Sequence, residues 1–208
     1  MNFRLIIIGL LAAFAGVIGA VAFIPGAVDH LMPQRGPVTT GKALVGGPFK
    51  LTTHTGERVS DETFRGRLML VYFGFTYCPD ICPAGLQVMT AALDKLGSKA
   101  AKIAPLFITV DPERDTPEQL KAYAGSFHKN LIGLTGSLEE IDKAAKAYRV
   151  YYRKVQDPAL SDYTMDHTSF FYLMDGKGEY ITHFPHVVPP EKLAERLATE
   201  LAKLEASK

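Results

Sequence analysis

Residues 70–83, Leu-Val-Tyr-Phe-Gly-Phe-Thr-Tyr-Cys-Pro-Asp-Ile-Cys-Pro, restrict the fold more than any other stretch of this chain. The first six are apolar or small and rich in β-branched and aromatic types, the pattern of a buried strand. The run then breaks into a turn that carries both cysteines of the 208-residue sequence. Proline suits the first turn of a helix and costs about 3 kcal/mol in its interior. Pro79 and Pro83 therefore predict an irregular turn over 78–82 and a helix from about Pro83. Four residues of separation keep the two Cα atoms about 6 Å apart, within disulfide reach. The same closeness lets both sulfurs grip one soft metal ion. Scattered cysteines read as small buried hydrophobes. A pair between a strand and a helix amino terminus, which favours thiolate, reads as redox or metal chemistry.

The rest of the pattern alternates. Apolar residues at 86, 88, 89, 92, 93 and 96 follow helical spacing, with Met89 as packing. Residues 103–110 read as a strand, and Thr116 followed by Pro117 caps a helix over 117–127. A strand at 131–134, a helix at 138–148 and a strand at 150–155 continue the order. It predicts an α/β fold, a mostly parallel sheet with helices on both faces. Residues 157–166 have turn composition, and a strand over 168–174 follows. Asp175-Gly-Lys-Gly turns into a strand at 179–184, and Pro189-Pro190 opens an amphipathic helix with Leu193, Leu197 and Leu201 on one face. Upstream, residues 48–52 and 57–60 form a hairpin about Thr55-Gly56, with His54 solvated beside it.

Residues 5–24 are 20 positions without a charge, about the length that crosses a bilayer as a helix. Arg4 before them and Asp29 after them put the short end in the cytoplasm and the bulk outside. Ala20-Val21-Ala22 also resembles a secretory cleavage site; the run's length favours a retained anchor, and both readings export the domain to where disulfides form. Residues 25–46, dense in Pro and Gly, are a tether; His30 and Met32 within it are incidental. The expected organisation is an anchor at 1–24, a tether at 25–46 and one folded domain at 47–208. With 23 Lys and Arg against 22 Asp and Glu, nothing attracts nucleic acid.

Which histidine joins the cysteines is the next question. His167 stands at a strand end, where α/β proteins build sites. His183 and His186 flank the end of the last strand and read as surface or partner-facing. Asp111 and Asp115 read as helix caps or partner contacts.

Four blocks in order, Val45-Gly-Gly-Pro-Phe-Lys-Leu, Phe73 through Pro83, Thr109-Val-Asp-Pro-Glu-Arg-Asp-Thr-Pro and Asp166-His167 with Tyr172-Leu173, resemble the Sco/SenC family. The resemblance covers roughly residues 45–205. It implies a membrane-anchored, thioredoxin-like α/β copper protein, with a central mixed sheet, that assists assembly of cytochrome c oxidase. Cys78, Cys82 and His167 map onto its copper ligands. Two thiolates and an imidazole suit Cu(I), and can hold Cu(II) with a further group; zinc accepts such a set too. The implied partners are oxidase subunit II, with its binuclear copper site, an upstream copper donor, and the membrane through the N-terminal helix. The implied place is the inner membrane, with the domain in the periplasm or the equivalent intermembrane space. The alternative is a thiol:disulfide reductase with Cys78 and Cys82 as its redox-active disulfide, keeping the subunit's cysteines reduced. Against it, His167-Thr168 occupies the place of the proline that thioredoxin-like oxidoreductases carry before the facing strand. One departure is Tyr77, where many members carry histidine; it reads as a change beside the ligands or in a partner contact.

Overall fold

All seven residues of strand β3 (Leu68–Gly74) are buried, and alternate side chains enter two different cores. Met69, Val71 and Phe73 face one, Leu68, Leu70 and Tyr72 the other, which is how a central strand must partition a two-sided sheet. The structure is a computed structural model and describes residues 44–156 and 162–206. Among these, β1 (Lys50–Thr53) and β2 (Arg58–Ser60) precede β3. Helix α1 (Ile81–Leu96), β4 (Ile103–Thr109), α2 (Pro117–Gly125), β5 (Ile132–Thr135) and α3 (Leu138–Ala147) follow it. The chain then runs through β6 (Tyr152–Val155), β7 (Thr164–His167), β8 (Phe170–Met174), β9 (Tyr180–Pro185) and α4 (Pro190–Ala206).

Seven strands form one sheet in the order β2-β1-β5-β4-β3-β8-β9. Only its centre is parallel, β3 on β4 and β4 on β5. The expectation of a mostly parallel sheet fails at both flanks, where β1, β2, β8 and β9 pair antiparallel through hairpins and returns. Helices cover both faces as expected: α1, α2 and α4 pack on the Leu70 side, α3 on the Val71 side. Leu86, Met89 and Leu93 bring α1 onto the sheet, each worth about 1.5–3 kcal/mol of burial. Gly97, at φ +56, closes that helix in the left-handed region. Thr116 accepts the Gln119 N–H to start α2, and Ser137 and Glu140 form a reciprocal capping box on α3.

Two assignments change. The strand expected over 168–174 begins at Phe170, and a separate strand, β7, occupies 164–167 within the stretch read as turn. β7 pairs with β6 as a two-stranded sheet of its own, Tyr152 opposite His167. The expected anchor and most of the tether lie outside the described residues. Among the described residues no helix is long and apolar enough to cross a membrane.

Candidate metal centre

The carboxyl end of β3 delivers the cysteines. The Cys78 N–H donates to the Phe75 carbonyl at 3.3 Å, tightening the turn, and Asp80 holds the N-cap position of α1 without a side-chain capping bond, its carbonyl accepting the Ala84 N–H at 3.0 Å. Cys82 is the second residue of that helix, not part of an irregular turn ending before it. Pro83 is tolerated because the third helical N–H has no intrahelical acceptor in any case. The orphan N–H of Cys82 instead donates to Cys78 Sγ at 3.3 Å. Cys82 is fully buried, Cys78 half-buried, and neither is joined in a disulfide.

The two sulfurs share a proton unequally. Cys78 is lowered to about 4, first by the side-chain hydrogen bond from Cys82 and further by bonds from His167 and backbone N–H groups, against desolvation. Cys82 is pushed up by the same bond to Cys78, then by burial and by the neighbouring negative charge. Cys78 is the thiolate and Cys82 the thiol.

His167 comes from the other end of the chain, as the last residue of β7. Its Nδ1 lies 3.1 Å from the Thr168 carbonyl, which can only accept, so the proton is on Nδ1. Nε2 is thereby turned to the sulfurs, 3.4 Å from Cys82 Sγ. With the proton on Nδ1, Nε2 presents a lone pair to the Cys82 thiol. Phe75 meets the ring edge-on at 5.9 Å and 88°. A carbonyl that fixes the far nitrogen is how metal-binding histidines are commonly oriented.

Cys78 and His167 line a cavity of about 270 Å³ together with Phe75, Asp80, Ile81 and Met165, while Cys82 is fully buried and does not line it. A larger cavity of about 520 Å³, at His54, Arg67 and Lys129, includes none of them. Among the described residues no group of three or more His, Cys, Asp and Glu is spaced so that it could hold a metal ion without rearranging. The observed contacts are hydrogen-bonding ones. Metal bonds of about 2.0–2.3 Å, as zinc makes to the same atoms, hold neighbouring ligand atoms roughly 3.5–4 Å apart. The Cys82 to His167 distance needs to open only slightly, and two sulfurs with one imidazole are a donor set for a soft cation.

The other candidates fall elsewhere. Tyr77 is 55% exposed, its ring stacked under the Arg114 guanidinium at 4.7 Å. His183 is on β9, with Nδ1 against the Tyr180 hydroxyl and its ring beside Phe170; the His186 N–H donates to the Ser169 carbonyl. His54 is not merely solvated, since its Nδ1 accepts the Gly133 N–H at 3.0 Å. Met89 packs in the core as expected. His30 and Met32 lie outside the described residues.

Asp111 and Asp115 do not cap α2, since Thr116 does. Asp115 is fully buried and accepts from Thr76 N at 3.0 Å, Thr76 Oγ1 at 2.6 Å and Thr109 Oγ1 at 2.6 Å. Burial raises its carboxyl against those three donors. Asp111 accepts from Arg114 Nε at 2.5 Å and from the Tyr163 hydroxyl at 2.8 Å. Arg114 and Tyr163 are absent from any sequence-level list of site residues. The available hint was a charged run placed directly after a buried strand, at the sheet edge where sites form.

A strand, a two-cysteine turn and a helix on a mixed sheet covered on both faces, with a donor arriving just before the antiparallel β8, define a thioredoxin-like α/β protein with a dithiol at its working end. The sequence profile described as SCO1/SenC matches residues 37–202, and the chain belongs to that family. It is 45% identical over 163 residues to the Protein SCO1 homolog, mitochondrial, of Homo sapiens, covering 77% of this chain. That match spans 54% of the human protein, about half its length. The structure of Bradyrhizobium japonicum ScoI with copper bound is 44% identical with a TM-score of 0.70, covering 75% of this chain and 99% of that one. BsSco, described as having a disulfide switch and as a member of the Sco family of cytochrome c oxidase assembly proteins, is 29% identical with a TM-score of 0.60. It covers 76% of this chain and 94% of its own.

Proposed function

We propose that this chain binds copper through Cys78, Cys82 and His167 and delivers it during cytochrome c oxidase assembly, to the binuclear copper site of subunit II. The observation that carries the reading is the Thr168 carbonyl holding Nδ1, which aims His167 Nε2 at the cysteine pair. The copper-bound ScoI relative and the assembly role attributed to BsSco support it. Transfer is a ligand exchange. Cys82 is sealed in the core, while His167 is a half-buried imidazole on a two-stranded sheet, so His167 is the donor that lets go first. An upstream donor supplies the ion. The apolar run at 5–24 anchors the protein to the inner membrane, and 25–46 tethers the domain on the periplasmic or intermembrane-space side.

Equilibration of the full chain with copper tests this. His167→Ala is expected to weaken binding at least about tenfold, and Cys78→Ala more. Wild-type affinity in His167→Ala removes the third ligand.

A second reading rests on the sulfurs themselves. A half-buried thiolate beside a retained thiol is the arrangement of a dithiol reductant, and BsSco has its disulfide switch. In this reading the protein keeps the cysteines of subunit II reduced. It predicts disulfide reduction by the metal-free protein that survives loss of His167.

A further inference from the structure

The hairpin β6–β7 carries His167 but takes no part in the main sheet, and of its two strands only Met165 is buried. Apart from the His167 contact with Cys82, its polar ties to other elements among the described residues run to one short loop. Arg114 Nη1 donates to the Tyr163 carbonyl at 2.9 Å, with the guanidinium stacked 3.7 Å over the Tyr163 ring. The Tyr163 hydroxyl donates to Asp111, itself 1% exposed, and Lys154 pairs with Glu113. The same loop also holds the cysteine side. Asp115 takes both the N–H and the hydroxyl of Thr76, two residues before Cys78. The Arg114 guanidinium lies 4.7 Å over Tyr77, one residue before Cys78, and 6.0 Å over Phe75, whose ring meets His167.

We infer that Arg114 is a positioning residue that sets where His167 stands relative to Cys78 and Cys82, by clamping the hairpin to the cysteine turn; this rests on His167 being a ligand, as proposed above. The chemistry of the guanidinium fits the task. It is planar and permanently charged, and its forked donors reach a carboxylate and a carbonyl at once while its face lies against the rings of Tyr163 and Tyr77. Neither a lysine nor an amide makes all of these contacts together. Asp115 fixes one side of the gap and Arg114 bridges it, so the two halves of the donor set are registered through a loop that supplies no donor.

The test loads the full chain with cupric chloride. It reads the sulfur-to-copper charge-transfer band, the imidazole nitrogen modulation by pulsed electron paramagnetic resonance, and copper affinity. In Arg114→Gln the charge-transfer band is expected to persist, the imidazole modulation to be lost and affinity to fall about 10–100-fold. Adding His167→Ala to it should then cost less than about twofold, since the ligand is already disengaged. Arg114→Lys keeps a cation beside Asp111 without the flat fork and is expected to lose the modulation as well. It carries the test if the metal-free Arg114→Gln chain does not fold. Wild-type modulation in a folded Arg114 variant overturns the inference, as does a His167→Ala cost equal in both backgrounds. If the wild type itself lacks imidazole modulation, or His167→Ala binds copper as the wild type does, the ligand assignment fails and this inference with it. If those two hold and only the Arg114 variants match wild type, the inference alone falls.

Discussion

Gly74→Ala probes how tightly the sheet is closed around the buried sulfur. A Cβ at residue 74 would stand 2.7 Å from Phe107 Cε2 and 2.9 Å from Cys82 Sγ, where ordinary contacts begin at 3.4 Å. The neighbours must therefore retreat by about 0.7 Å. Phe107 has nowhere to go, being fully buried with its ring centroid 6.2 Å from Tyr72 and 5.5 Å from Tyr123. Overpacking of this kind costs about 1–3 kcal/mol, against about 0.5–1 kcal/mol gained by restricting the unfolded chain. The net expectation is a loss of up to about 2.5 kcal/mol, read as a lower urea midpoint at unchanged slope. Gly125→Ala, at the end of α2 with nothing within 4 Å of the added carbon, is the control and should hold or raise the midpoint. Because the new methyl also presses on Cys82 Sγ, copper affinity should fall in the first variant and not in the second. A midpoint for Gly74→Ala at or above wild type would refute the packing argument.

Two further outcomes follow from the ionisable groups. With Cys78 lowered to about 4, its alkylation by iodoacetamide should be nearly flat between about pH 5 and 8, and Cys82 should resist until the protein unfolds. Cys82→Ala removes the leading cause and moves the Cys78 profile upward, whereas a wild-type rate climbing tenfold per pH unit from 6 to 8 contradicts the assignment. For Asp115 the folded carboxyl is raised by burial, so the native state binds that proton more tightly than the unfolded chain does. Its contribution to stability is full below the ordinary range, about pH 4, and is lost as pH rises through the raised value. Asp115→Asn should gain on wild type in unfolding free energy as pH increases over that window, and a pH-independent difference would count against it.

What could be read from the sequence depended on how local the cause was. β3 announced itself by composition, and the hairpin into β9 by Asp175-Gly-Lys-Gly, because both signals are contiguous. The flanking antiparallel pairs were misjudged because strand direction is a property of where the chain returns, not of the strand. β7 was missed since Thr164-Met165-Asp166-His167 offers one inward residue in four, too few for a period of two to declare itself, and its partner β6 lies outside the main sheet. The helix start at Ile81 was displaced by giving Pro83 the first position when the third also tolerates it. Cys78 and Cys82 were legible from spacing. His167 needed the family resemblance, and the Arg114 contacts, 49 residues from Tyr163, showed in the sequence only as a charged run after a buried strand, with nothing to name their partner.

Cys82 and His167 stand 85 positions apart along the chain. An ion bonded to both, as proposed, would rivet that span into a ring, and a covalent link of similar span would be worth about 4.6 kcal/mol against the disordered chain. Under the copper-delivery role proposed above, cargo and scaffold are not separate: handing over the ion would open the ring, and the courier would become easier to unfold at the moment its errand is done.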